Sequence, residues 1–537
     1  MSKTISSSAV KLTIGAILIF LVVVPLVNMF TALTPKDVTD VLTSTRFVPA
    51  LVNTVVLGMA ATAISLLVAY GLALATERVE MRLKAVFAVI LVLPMLIPSI
   101  SHGMGLIILL GNNGIITRAL GLDISIYGPL GIILGSVMYA FPPAYIILSD
   151  ALRYEDRAPY AAADILGIGR MRRFLRITLP YLRRPLIAAA FSSFALITTD
   201  YGVPLMIGGT TKTVARLMFD EVIGQLRFGR GCVYGLVLLI PAVIAFAADV
   251  LNKDRAGGSL VESGKKEEGS GSSRAKKIWA YALCTTVSVI ALLPIAAFLL
   301  LAFAKNYPTD MTFTLDNITK TMSTRGGGRF LLNSLVMSLL TAAIGSALCF
   351  VIAYLTARMR SKLSGALHLL TLSFMAIPGI VLGLSYVVTF SGSALAGTLV
   401  ILVMVNMSHF MSSPYLMMYN RFCKMDEQLE AVGATMGIGR MRMIRDVFVP
   451  AGLGTVAEMF SYMFVNSMMT ISAVSFLSTL STRPISLMIN QFESQMQYES
   501  AAVVSLVILG VNMLLKAVMG LVGNRRRGVS LKQKKTI

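Results

Sequence analysis

Side chains able to hold a metal or carry out catalysis are few and scattered. The 537 residues include three histidines and four cysteines, Cys232, Cys284, Cys349 and Cys423, none at ligand or redox spacing. The cysteines read as small apolar residues. No cluster of His, Asp or Glu sits at matched depth, so no catalytic residue and no metal ligand is expected. A nucleotide-binding loop, Gly-x4-Gly-Lys-Ser/Thr, is also missing; Gly264-Lys265 has no glycine five residues before it. What remains is polar residues inside apolar stretches. Asp200, followed by Tyr201, lies near the end of one stretch, where an acid is functional, paired, or turned to interfacial water. His102, with Ser99 and Ser101, follows Pro98; it either lines a pathway or satisfies backbone groups freed by the proline. Asn466 to Thr470 is a third polar patch. Such residues suit passage of a solute better than bond chemistry.

The elements that position them are membrane spans. Hydrophobic residues make up 56% of the chain and charged ones 14%, with a mean hydropathy of +0.78; a soluble domain carries about 25% charged residues. The first apolar run, Leu12 to Leu33, is about 33 Å long as a helix. That exceeds a signal-peptide core, and no small-residue cleavage site follows, so it is expected to be retained. Stretches long enough to cross about 30 Å of hydrocarbon lie near 12–33, 51–76, 85–110, 130–152, 185–207 and 232–251. Six more lie near 278–304, 330–357, 365–390, 394–420, 451–478 and 500–523. The prediction is an all-α polytopic membrane protein of twelve transmembrane helices.

Lys and Arg give the orientation. With the N-terminus cytoplasmic, the cytoplasmic segments hold 34 of them and the external loops 12. This accounts for the net charge of +21 without nucleic acid as a partner. The tail Arg525, Arg526, Arg527, Lys532, Lys534 and Lys535 is read as a positive-inside signal facing anionic lipid. Residues 252–277 are rich in Gly, Ser and charge and read as a flexible linker between a first six-span unit, 1–251, and a second, 278–537.

The two units repeat each other. Asn53-Thr54 recurs as Asn333-Ser334, and Pro98 recurs at the same offset as Pro378. Each proline interrupts a span, which is tolerated where protein or a cavity satisfies the freed backbone. Gly167-Ile168-Gly169-Arg170-Met171-Arg172 recurs as Gly437-Ile438-Gly439-Arg440-Met441-Arg442, and the interval from Gly167 to Pro180 equals that from Gly437 to Pro450. The offset of this second motif is shorter than that of the first. The first unit therefore carries extra residues, which fall in the external loop around 111–128. Thr470 and Leu382 stand where Asp200 and His102 would recur, so polarity differs between the units. Two parallel homologous units imply a pseudo-two-fold axis along the membrane normal, with the pathway between them.

The long cytoplasmic loops, 153–184 and 421–450, each read as a short helix, a glycine break and a second helix returning to the membrane. They resemble the EAA loop of type I ABC importer permeases: Glu-Ala-Ala, three residues, Gly, nine residues, Ile, one residue, Leu-Pro. The first loop fits at Ala162, Ala163, Gly167, Ile177, Leu179 and Pro180. The second fits at Gly437 and Pro450, with Val447 and Val449 as apolar replacements. Ala161 and Ala431 stand in place of the glutamate, and Glu430 lies one position earlier. The resemblance implies a fused pair of permease units. It implies that these loops, Gly169 and Gly439 included, couple to two cytoplasmic ATP-binding cassette ATPase subunits. ATP and Mg would then be bound by those subunits, with no cofactor in this chain, and an external solute-binding protein would deliver the substrate. Fused chains of this size are similar to ferric iron, 2-aminoethylphosphonate and thiamine permeases; Asp200-Tyr201-Gly202-Val203-Pro204 is similar to the phosphonate type. The location implied is a bacterial inner membrane with both termini cytoplasmic. The alternative is a secondary transporter driven by an ion gradient, against which stand the paired loops and the lack of a carboxylate relay.

Overall fold

A computed structural model describes residues 7–121, 125–156, 158–254 and 273–533. Most of the expected linker (255–272), part of the long external loop (122–124), and Lys534 and Lys535 lie outside the described residues. The chain is almost wholly helical; the one sheet among the described residues is a hairpin of two strands, Ala304–Asn306 and Asp310–Phe313. Eight described helices are long and apolar enough to cross a membrane, or up to ten if two bent pairs each form one span. Lys84–Leu96 and Phe228–Ile244 are shorter apolar helices. The protein is therefore an all-α polytopic membrane protein. Two expected spans end early. The stretch at 185–207 stops being one helix at Thr198, and that at 451–478 stops at Met469. The apolar residues beyond them include turns, because hydropathy records depth and not backbone form.

Two compact units are present, and they partition the chain differently from the sequence repeat. One comprises Thr39–Asp220 and Leu236–Thr314. The other comprises Met1–Val38, Glu221–Gly235 and Leu315–Ile537. The first span of each sequence half thus belongs to the compact unit that holds most of the other half. In the second unit, Lys11 is buried and donates from Nζ to Met359 O at 2.7 Å and Ser361 Oγ at 3.1 Å. Further along, the π-helical turn Ile19–Val23 presents Leu21 O to the Tyr386 hydroxyl at 2.7 Å.

In the first unit the main helices are α1 (Phe47–Arg78), α2 (Pro129–Arg153), α3 (Ala158–Ile165) and α4 (Leu179–Thr198). The second has α5 (Gly327–Ala357), α6 (Ser412–Cys423), α7 (Leu429–Thr435) and α8 (Val449–Met469). α1 packs on α2 and α4; α5 packs on α6 and α8. The buried stripe of α1 runs Thr54, Leu57, Gly58, Ala61, Thr62, Ser65, Ala69, Leu72, Ala73 and Thr76. Apart from Leu57 and Leu72 these residues are small, and at helical spacing they let helix backbones approach closely in lipid. In α5 the stripe returns at the offset of the Asn-Thr and Asn-Ser pairs, as Ser334, Met337, Ser338, Thr341, Ala342, Gly345, Cys349, Ile352, Ala353 and Thr356.

The repeated Asn-Thr and Asn-Ser pairs hold the non-helical turns. Asn53 Nδ2 donates to Lys212 O at 3.1 Å, and the Thr54 hydroxyl accepts from Val214 N at 2.9 Å. Asn333 Nδ2 donates to Ser481 O at 2.9 Å and Arg483 O at 3.2 Å, and the Ser334 hydroxyl accepts from Ile485 N at 2.8 Å. Away from water these backbone groups need such partners.

Thr54→Val and Ser334→Ala should each leave one amide, Val214 or Ile485, without its acceptor, at roughly 1–3 kcal/mol. Hydrogen exchange at that amide should accelerate by about one order of magnitude or more. Thr62→Val is the control, since the buried Thr62 hydroxyl has no hydrogen-bond partner; equal acceleration in it would contradict the assignment.

Candidate functional site

The two loops are built residue for residue on one plan. α3 ends at Gly167 and α7 at Gly437, whose φ angles are +63° and +68°. Both close a Schellman cap. In the first, Ile168 N donates to Ala163 O at 2.9 Å and Gly167 N to Asp164 O at 3.2 Å. In the second, Ile438 N donates to Gly433 O at 2.8 Å and Gly437 N to Ala434 O at 3.1 Å. Gly169 and Gly439 then start the next turn, each carbonyl accepting from residue 173 or 443 at 3.1 Å. A short π-helical turn follows in each loop, Phe174–Thr178 and Ile444–Phe448. Pro180 and Pro450 come directly after, inside the first turn of α4 and α8. A proline has no N–H for an α-type bond, and a π turn is a recognised way to absorb such a break.

The burial pattern also repeats. Ala163 and Gly433 face inward, while Ala162 and Val432 beside them are exposed. Gly433 packs tightly, since a Cβ there would lie 2.7 Å from Met443 Sδ and that side chain would have to shift. Facing outward are Ile165 (87% exposed), Leu166 (73%) and Met171 (71%) on one loop, and Met436 (69%) and Met441 (78%) on the other. Large apolar side chains this exposed, beside several Arg residues, make the two loops a candidate contact surface.

One arginine ties each loop to the end of a long helix. At the end of α1, Arg78 Nη2 donates to Glu155 Oε2 at 2.5 Å and to the Tyr160 hydroxyl at 2.7 Å. Tyr160 donates to Glu155 Oε1 at 2.6 Å and lies 2.8 Å from Thr178 Oγ1, on the π turn. The guanidinium sits 4.6 Å from the Tyr160 ring centroid. Burial, and after it the bond to Glu155, push the Tyr160 hydroxyl above its ordinary pKa, so it stays a donor. Just past α5, Arg358 grips Glu430 with Nε, at 2.7 Å, and with Nη2. It also donates to Met425 O at 3.0 Å and Asp426 O at 2.6 Å. Its guanidinium lies 5.5 Å from the Phe448 ring, on the second π turn. The Glu430 hydrogen bonds hold the Arg358 guanidinium above its ordinary pKa. Glu430, one position before the expected glutamate, is therefore committed to a partner within this chain. Neither arginine was singled out in the sequence, where both counted only as topology charges. Their signal was the offset they share with the Asn-Thr and Asn-Ser pairs.

The remaining candidates lie where spans break. Pro98 precedes helix Ser99–Leu110, and Pro378 precedes helix Gly379–Phe390; the second break bends the chain by 104°. His102 Nε2 lies 3.1 Å from Pro94 O, a carbonyl the break leaves free. Ser99 Oγ donates to Asp200 Oδ1 at 2.6 Å, and Val203 N donates to Asp200 Oδ2 at 2.9 Å, so this carboxylate caps the short helix Gly202–Ile207. Tyr201 is buried and stacks on Phe219, centroids 4.6 Å apart. In the second unit Thr470 O accepts from Ser486 Oγ at 2.7 Å, and Asn466 Nδ2 donates to Tyr462 O at 2.8 Å. The first unit thus gathers Pro98, His102, Asp200 and Tyr201 around one break. Asn466 and Thr470 bond locally. Among the described residues no three His, Cys, Asp or Glu side chains group as metal ligands would.

The sequence matches known proteins. The family described as binding-protein-dependent transport system inner membrane component matches residues 65–253 and again residues 349–528. The chain is 23% identical to the putative ferric transport system permease protein FbpB 1 of Haemophilus influenzae, over 88% of this chain and 78% of that protein. It is also 23% identical to the ferric transport system permease protein FbpB of Actinobacillus pleuropneumoniae, over 88% of this chain and 73% of that one. The molybdenum transport system permease protein ModB of Azotobacter vinelandii is 32% identical over 152 residues, 27% of this chain and 67% of that protein. With two matches that together cover more than half of its length, each on one copy of the repeat, the chain belongs to the binding-protein-dependent transport inner membrane component family, as two copies fused in one polypeptide.

Proposed function

We propose that this chain is the membrane pathway of an ATP-driven importer, with loops 153–184 and 421–450 each docking on a cytoplasmic ATPase subunit. The observation that carries this is the paired apolar knob, Ile165 and Leu166 on one loop and Met436 on the other, standing outward over a left-handed glycine. Lying on a membrane surface would require only amphipathic helices. It would not require the same cap, the same inward residue and the same π turn twice. ATP and Mg belong to the ATPase subunits in this reading, and an extracytoplasmic binding protein delivers the solute. Both termini are cytoplasmic, as the Lys and Arg distribution favours. Ferric iron is the proposed substrate, supported by the names of the two relatives that span most of the chain; 2-aminoethylphosphonate is the competing solute. Pro98, His102, Asp200, Tyr201, Pro378, Asn466 and Thr470 are proposed to shape the pathway through the broken spans rather than to bind the solute directly.

Gly167→Leu together with Gly437→Leu should uncouple the transporter. A left-handed backbone costs a residue with a Cβ roughly 1–2 kcal/mol, and no atom lies within 4 Å of a Cβ added at either glycine, so the fold should survive. Reconstituted with an ATPase subunit and binding protein from the same organism, the double variant should hydrolyse ATP with little uptake. Uptake at the unmodified rate would sink the docking assignment.

The same vesicles decide the solute. Radiolabelled ferric iron should accumulate in an ATP-dependent way, and 2-aminoethylphosphonate should not. The reverse result would replace iron by the phosphonate and leave the importer reading intact.

A further inference from the structure

We infer that α1 and α5 are transmission rods that carry movement of the two docking loops to turns at the opposite ends of these helices, with Arg78 and Arg358 as the positioning residues at the loop ends. This rests on reading loops 153–184 and 421–450 as ATPase-docking elements.

Each rod is gripped at both ends. α1 spans 32 residues, about 48 Å at roughly 1.5 Å per residue. One end carries Asn53 and Thr54, which bond Lys212 O and Val214 N. The other carries Arg78, which bonds Glu155 and Tyr160. α5 repeats this with Asn333 and Ser334 at one end and Arg358 just past the other. Both grips therefore lie within a single compact unit in each case.

The two helices are also built to stay straight. Past Pro49 in its first turn, α1 has no proline, and α5 has none. Pro142 and Pro143 interrupt α2, Pro185 α4 and Pro294 helix Arg274–Ala302, whereas helix Tyr498–Gln533, like α1 and α5, has no internal proline. Sharp kinks in helices are mostly found at proline, at Gly/Ser pairs or at defects of the hydrogen-bond ladder; α1 and α5 lack the internal proline, and the Gly345-Ser346 pair of α5 is buried against Met463.

The loop-end grip is made twice with different chemistry. Tyr160 and Glu430 occupy equivalent positions, yet the first unit draws its carboxylate from Glu155 and the second from Glu430 itself. The common element is the guanidinium on the long helix. A planar fork holds several acceptors in fixed geometry, and a lysine ammonium cannot reproduce it.

The test uses the full chain with its ATPase subunit at saturating concentration in lipid nanodiscs. Hydrogen exchange of segments 200–214 and 470–486 is compared without nucleotide and with ATP plus vanadate. The unmodified complex should show a nucleotide-dependent change in both segments. Arg78→Met should abolish it in 200–214 and keep it in 470–486; Arg358→Met should do the opposite. A residue that merely stabilises the fold would raise exchange with and without nucleotide alike. Arg78→Lys and Arg358→Lys keep the charge and serve if the Met variants do not fold; they should lose the change in their own segment. Persistence of the change in the Met or Lys variants, loss from both segments at once, or no nucleotide-dependent change in the unmodified complex overturns the rods. Failure of the unmodified chain to bind the ATPase subunit overturns the docking reading instead.

Discussion

The structure depends on a constraint that lipid imposes: a backbone N–H or C=O at membrane depth must find its partner within the protein. This chain leaves the helix in two places per unit, at the proline break and at the turn that follows α4 or α8. Much of its polar side-chain inventory is spent there. Asn53 and Thr54 serve one turn, and Asn333 and Ser334 the other. Asp200 takes Val203 N and holds Ser99 at the break. His102 meets Pro94 O. Polar residues that suggest a solute site in the sequence are thus already occupied in holding irregular backbone.

Duplication set the same backbone problem twice, and the two solutions differ in atoms. Beside Pro98 the free carbonyl is met by His102, from the helix after the break. Beside Pro378 the ring close by is His409, from the next span, which bonds Ile377; a Cβ on Gly379 would lie 2.9 Å from its Nε2. Asp200 caps a short helix, whereas the equivalent Thr470 contributes its carbonyl to Ser486. Among the positions that do not vary are some where geometry leaves one option, such as the left-handed Gly167 and Gly437. Glycines 103 and 383 are similar, for a Cβ there would come within 2.7 Å of Met206 Cβ and 2.6 Å of Ala473 O.

Most of the fold was legible because hydropathy, charge and repetition are properties of sequence alone. They yielded the spans, the paired loops with their glycines and prolines, and the proline breaks. Contacts across the chain were not legible. Helicity of 185–207 and 451–478 was overestimated because hydropathy does not register where a helix stops, here at Thr198 and at Met469. The membership of the first spans in the compact units was hidden too, since Lys11 and Leu21 carry no mark of their partners at Met359 and Tyr386. Arg78 and Arg358 were visible only as cytoplasmic charges, because an arginine at a span end satisfies the positive-inside rule whether or not it also grips a loop. The displaced Glu430 looked like a loss of the family glutamate, and its bond to Arg358 gives it a separate use.

The division of each loop into inward and outward residues bears on how it can work as a docking element. Inward groups fix its shape: Ala163 or Gly433 in the cap, Thr178 on one π turn, met by Tyr160, and Phe448 on the other, faced by Arg358. Outward groups such as Leu166 and Met436 take little part in that framework. Ordering a flexible loop on binding costs about 1–2 kcal/mol per residue in backbone entropy, which would be subtracted from the contact energy of a small apolar knob. A loop already closed by a Schellman cap and an arginine grip avoids that cost. In the docking proposed above it would also pass on displacement instead of absorbing it, since caps and bidentate pairs resist small shifts that a mobile loop would take up. Under that proposal the same internal bonds would serve affinity for a partner and stiffness in response to it.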